Sequence, residues 1–167
     1  MESFHFNIPA HSTRRYWAIY AIVAKSIKSN EKLLYIGKVG DNRAGCNPII
    51  SRIGNHFSFN KIHSQFKNYL KEIDRLPDGF NYSIHYLTSA KYNETKRENQ
   101  RESINEAERF LNLEIQSKNL TEFRLLNPYA GNHINKREKL RRLNILTEKE
   151  KNEIIEFMKE ILETQSV

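Results

Sequence analysis

The sequence predicts an α+β domain: a small antiparallel three-stranded sheet flanked by helices, in the order β-β-α-α-β-α, with an added C-terminal helix. Three observations predict it. Residues 17–23 and 33–39 are rich in aromatic and β-branched side chains and lie close in sequence, so they should pair as antiparallel neighbours. Residues 80–87 alternate Phe80, Tyr82, Ile84 and Tyr86 against Asn81, Ser83 and His85, the period of a half-buried strand. Elsewhere the apolar residues recur at helical spacing.

Taken in order, residues 1–14 form a lead-in without periodicity. The first strand follows, then a polar hairpin connection containing Ser29-Asn30, then the second strand, closed by Gly40-Asp41-Asn42. Asn47-Pro48 reads as a helix start, with Asn as N-cap and Pro at the first helical position. Ile49, Ile50, Ile53 and Phe57 form the apolar face of that helix, and Arg52 and His56, four apart, project together beside it. A second helix is expected over 61–76, on a stripe of Ile62, Phe66, Tyr69, Leu70 and Ile73. Pro77-Asp78-Gly79 turns the chain into the third strand. A long helix over 95–117 carries Ile104, Ala107, Leu111 and Ile115 inward. Asn127-Pro128 and Gly131-Asn132 mark a loop. The last helix opens at Thr147, with Glu150 three later completing a capping box.

Composition bounds the function. The chain has 167 residues, enough for one domain with a real core. No run approaches the roughly eighteen apolar residues of a membrane span, and no basic start precedes an apolar block, so neither membrane nor signal peptide is expected. Cys46 is the single cysteine, which excludes an intrachain disulfide and a multi-cysteine zinc site and suits a cytoplasmic protein. Net charge is +7 and pI about 9.5, a balance that favours a polyanionic partner.

Four short patterns carry the chemistry: Ala18-Ile19-Tyr20, Tyr35-Ile36-Gly37, Arg52-x3-His56, and a helical Glu before an Asn-Pro loop. Alone, each is ordinary packing or surface chemistry. In this order they resemble the GIY-YIG endonuclease family over about residues 15–135. Ala18 stands where the family has Gly, and the hairpin between the tyrosines is longer than the family's.

The resemblance implies a metal-dependent DNA endonuclease. Tyr20 would stand nearest the attacking water and Tyr35 would orient it. Arg52 would bind the scissile phosphate, to which its planar fork is suited. His56 would hold a phosphate oxygen or assist proton movement, and Lys38 would add a cation near the nucleophile. One carboxylate would hold Mg²⁺, with Mn²⁺ as a substitute. Glu108 is the first choice, Glu106 the rival and Glu114 the third. Asn132 would brace the metal side, with Asn127 as its alternative. Residues 136–167 would form a basic segment and C-terminal helix packed on the 15–135 domain, with Lys136, Arg137, Lys139, Arg141 and Arg142 gripping backbone phosphates. His63 reads as a surface histidine.

The expected partner is double-stranded DNA, cut by a homodimer. The build is most like stand-alone restriction members, which implies a defence role and a cognate DNA methyltransferase. A homing or mobile-element enzyme and a structure-selective repair nuclease are the alternatives within the class. A catalytically inactive nucleic-acid-binding module is the alternative outside it.

Overall fold

Residues 17–24 carry no side-chain polar groups except the Trp17 indole N–H and the Tyr20 hydroxyl, and all eight are buried. Such a strand needs cover on both faces, and the fold gives it that. The computed structural model describes residues 2–3, 5–40, 46–60, 62–131 and 135–163. Among them run β1 (Tyr16–Ser26), β2 (Lys32–Val39), α1 (Ile49–Phe57), α2 (Gln65–Glu72), β3 (Phe80–Lys91), α3 (Arg97–Ser117), β4 (Arg124–Leu125), α4 (Lys136–Arg142) and α5 (Glu148–Glu163). The protein is therefore α+β, as expected. The sheet is not three-stranded, and the element order differs from the expected one: four strands lie in the spatial order β3-β1-β2-β4.

β1 is central and pairs antiparallel with β2 and β3. Tyr20 faces Gly37 on one side and Tyr86 on the other, and Ile22 faces Tyr35 and Ile84. Directly opposed residues share a face, so both motif tyrosines lie on one side of the sheet. α1 and α2 cover that side, where the Phe57 and Phe66 rings meet Tyr82 at 4.9 and 5.8 Å. α3 covers the other side with Ile104, Ala107, Leu111 and Ile115, all buried, and α5 packs on α3 and β3. No helix among the described residues is long and apolar enough to cross a membrane.

The extra strand has a physical cause. The outer edge of β2 would otherwise leave backbone groups unpaired. β4 supplies two residues in parallel register, Leu33 with Arg124 and Leu34 with Leu125, and Leu126 N–H donates to Leu34 C=O at 2.8 Å. A strand of two residues has no period to read.

Two helix starts also differ from expectation. Pro48 is extended (φ −55°, ψ 149°) and is itself the N-cap of α1, so Asn47 does not cap the helix. α2 begins at Gln65 rather than near 61, because Asn60 ties down the preceding turn. Its side chain accepts from Ile62 N–H at 3.0 Å and its carbonyl from Ser64 N–H at 3.0 Å. Ile62 is consequently exposed, not part of the core stripe. The capping box at Thr147 forms as read, with Glu150 accepting from Thr147 N–H at 2.8 Å.

Candidate active site

The site begins with a missing side chain. Tyr20 lies in the middle of β1, and its ring fills the space that a side chain on Gly37 would need. A Cβ placed there would come within 2.4 Å of the Tyr20 Cζ and hydroxyl oxygen. α1 then brings Arg52 and His56, one turn apart, onto the same phenol. His56 Nε2 lies 2.5 Å from the Tyr20 hydroxyl, and Phe66 N–H donates to His56 Nδ1 at 3.2 Å. With Nδ1 accepting, the ring proton is on Nε2, and His56 donates to Tyr20. Arg52 Nε–H donates to the same oxygen at 3.2 Å. Tyr35 closes the group, its ring 5.0 Å from that of His56 and 6.4 Å from that of Tyr20.

Burial sets the charge states. It pushes the Tyr20 phenol up to about 12, although the Arg52 guanidinium pulls the other way. Burial raises Tyr35 as well, reinforced by the neighbouring Tyr20. Burial, and then the charge of Arg52, push His56 down to about 3. At neutral pH the two phenols are protonated and the imidazole is neutral. This has a consequence for stability. A histidine lowered on folding contributes stability that is complete above its unfolded value near 6.5 and is lost as pH falls toward 3. Between pH 7 and pH 5 this group alone should cost the fold about 2 kcal/mol. Urea unfolding of wild type and His56→Gln at both pH values checks it. Equal pH dependence in the two proteins would show that His56 is not held neutral.

Arg52 reaches from this buried group into an open cleft of about 420 Å³, whose walls include Lys38, Asn47, Asn55, His63 and Glu108. The cleft lies along the end of β2, between α1 on one face of the sheet and α3 on the other. Lys38 Nζ donates to Glu108 Oε2 at 2.7 Å within its lining. Tyr20, Tyr35, Lys38, Arg52, His56 and Glu108 thus converge from four segments. They do so in two layers: Lys38, Arg52 and Glu108 line the cleft, while Tyr20 and His56, with no exposed surface, stand behind Arg52. His56 has both ring nitrogens engaged and does not line the cleft.

Glu106 is elsewhere. It is buried and ion-paired with Arg109 one turn on, beside a different cleft that Arg141 and Arg142 also line. The candidate cleft therefore holds one carboxylate, with His63 also on its lining, and no group of three or more His, Cys, Asp or Glu side chains placed to hold a metal ion occurs among the described residues. That set fits Mg²⁺, which a protein holds with one or two carboxylates while water and substrate phosphate fill the other positions. It does not fit an ion that the protein would hold in a cage of its own.

Asn127 braces the strand that carries Tyr35 and Lys38. Its side chain accepts from Ile36 N–H at 3.0 Å and donates to Ile36 C=O at 2.6 Å, replacing a strand neighbour beyond the end of β4. Asn132 lies outside the described residues. Asn112 holds the Asn127 loop to α3: it donates to Asn127 C=O at 2.9 Å and accepts from Tyr129 N–H at 2.9 Å. Sequence reasoning missed Asn112, although an asparagine directly after Leu111 on the buried side of a helix is a signal. It also missed Asn55, three residues after Arg52 and so on the same helical face, and it gave Asn47 a capping role.

The basic segment forms α4, capped by Asn135, which accepts from Glu138 N–H at 2.9 Å. It does not present five equivalent charges. Glu138 accepts from both Arg141 and Arg142, which hold its carboxyl down at about 2, and Arg141 also pairs with Glu102. Lys136, Arg137 and Lys139 are exposed. Pairs this exposed are screened by solvent, so an arriving phosphate can compete for the two arginines.

No protein-family model, no curated protein and no solved structure matches this chain.

Proposed function

We propose that this protein is a metal-dependent endonuclease of GIY-YIG type acting on double-stranded DNA in the cytoplasm, as a homodimeric, type II-like restriction or defence nuclease. The observation that supports the reading is the convergence of Tyr20, Tyr35, Lys38, Arg52, His56 and Glu108, from four segments of the chain, around one cleft.

In this reading Arg52 binds a non-bridging oxygen pair of the scissile phosphate and offsets the charge that builds there. Its Nε–H stays on Tyr20, so the phenol fixes the angle of the guanidinium. His56 fixes the phenol in turn. Lys38 and Glu108 form the opposite wall. When bound, Mg²⁺ would be held by Glu108 and would supply Lewis-acid polarisation of the phosphate and a lowered pKa for water. Hydrolysis forms one bond from water oxygen to phosphorus and breaks one ester P–O bond; the proton that the water loses is balanced by the one the departing ester oxygen gains, exchanged through the water of the open cleft. A phenol held near 12 is a poor base by itself. Tyr20, which has no exposed surface, acts in this reading by holding Arg52.

A second reading has one observation in its favour. Tyr20 is fully buried and protonated, as suits a nucleic-acid-binding module that keeps the fold without the chemistry. Plasmid cleavage separates the two. Wild type with Mg²⁺ should cut long unmodified DNA, EDTA should stop it, and Tyr20→Phe should cut at least about a hundredfold more slowly. Binding without cutting on any DNA would favour the second reading. Mapped cuts at one repeated sequence support restriction, whereas cuts at flaps or junctions support repair.

A further inference from the structure

Two large apolar side chains stand in water on the short connection between α1 and α2. Phe59 is 97% exposed and Ile62 is 77% exposed. Exposed apolar pairs also occur at Phe6 and Ile8 and at Leu140 and Leu143, but the Phe59–Ile62 pair is the one beside the candidate cleft. The connection runs between two cleft walls, since Asn55 lies just before it and His63 just after.

The described residues of the connection are hydrogen-bonded to one another and to α2. Asn60 N–H donates to Ser58 Oγ at 3.3 Å, Ile62 N–H to Asn60 Oδ1 at 3.0 Å, and His63 N–H to Asn60 C=O at 3.1 Å. Lys67 on α2 donates to Ser58 C=O at 3.2 Å, and its Nζ sits 4.5 Å from the centroid of the Phe59 ring. A cation therefore stands beside the ring. The turn presents an aromatic and an aliphatic side chain to solvent, with Lys67 beside Phe59 and Arg52 in the adjoining cleft, where Lys38 is paired with Glu108.

We infer that Phe59 and Ile62 form a wedge that enters the base stack of duplex DNA next to the phosphate held in the cleft. This rests on the DNA-binding part of the function proposed above. Nucleic acid is the occupant that matches both halves of the surface. Phosphates answer the lysine and arginine, and base faces answer the apolar pair. Apolar side chains inserted between base steps unstack and kink a duplex, and aromatic side chains stack on bases whatever their sequence. The wedge would also supply selectivity without base contacts, because flexible pyrimidine–purine steps open at the lowest cost.

The test uses the full chain without divalent metal, so that binding is read apart from cleavage. Relaxed plasmid is treated with a metal-independent topoisomerase in the presence of protein, then deproteinised. Wild type should lower the linking number, and the double variant Phe59→Ala/Ile62→Ala should not. On a duplex oligonucleotide the double variant should bind roughly tenfold more weakly, with the slope of log affinity against log salt unchanged because no phosphate contact is removed. Phe59→Trp should restore the linking-number change. Wild-type affinity and linking change in the double variant would overturn the wedge. So would a dimeric wild type that becomes monomeric in the double variant, since the pair would then cover a second copy of the chain. If wild type cuts DNA with Mg²⁺ while the double variant behaves like it in every assay, the wedge fails and the nuclease reading stands. If wild type binds no DNA, both fail.

Discussion

Replacing Glu108 with Gln is expected to lower Mg²⁺-dependent plasmid cleavage by about a hundred- to a thousandfold, the scale seen when one group that stabilises a reacting phosphate is lost. The fold should survive. Gln keeps the shape, and the lost partner, Lys38, is partly exposed, so its ion pair contributes only about 0–1 kcal/mol. Glu106→Ala should behave in the opposite way. Glu106 is 5% exposed and pairs with the half-buried Arg109, so removing it leaves that guanidinium without its carboxylate. The expected cost is about 1–3 kcal/mol of stability, with cleavage per folded molecule near that of wild type. Urea unfolding and cleavage rates on the same preparations decide the matter. A folded, inactive Glu106→Ala beside an active Glu108→Gln would move the metal-binding carboxylate to Glu106 and remove the cleft at Lys38 and Arg52 from the mechanism.

The second large effect is at Gly37. Gly37→Ala should cost about 1–3 kcal/mol, a fall in melting temperature of roughly 2–4 °C per kcal/mol for a chain of this size. It should also lower cleavage well beyond the loss of folded protein. Backbone conformation is not the cause, since Gly37 has no positive φ. The cause is space: a Cβ would meet Tyr20 at 2.4 Å, and Tyr20 cannot yield because His56 and Arg52 hold its hydroxyl. Gly54 is the control. It lies inside α1 with nothing within 4 Å of a would-be Cβ, so Gly54→Ala should stabilise by about 0.5–1 kcal/mol through helix propensity. Two Gly→Ala changes of the same sign would show that the Tyr20 contact does not decide the outcome at Gly37.

The strands and long helices were legible because their signals are local. β1 reads from its β-branched and aromatic run, and α3 from Ile104, Ala107, Leu111 and Ile115, each of which is buried. Where the expectation failed, a nonlocal or single-residue cause took over. β4 is too short to carry a period and exists because β2 needed an edge partner. Ile62 fits a helical stripe by spacing, yet the Asn60 turn delays α2 until Gln65. The Asn47-Pro48 pair has the composition of a cap, but the extended ψ of Pro48 makes the proline the cap.

The site divides along the same line. Sequence alone determined which residue types are present and which neighbours share a helix face: Arg52 with His56 by their four-residue spacing, and Glu108 opposite Glu106 by their two-residue offset. Those are short-range facts of helix and strand geometry. Only the tertiary structure decided depth and partnership. It set His56 and Tyr20 in a buried layer behind Arg52, gave Glu108 to Lys38 and Glu106 to Arg109, and made Gly37 the space for a ring. Burial and pairing are properties of what other segments bring to a residue, and they fix both its protonation and the solvent it meets. No window of the sequence around Tyr20 contains α1 crossing over it.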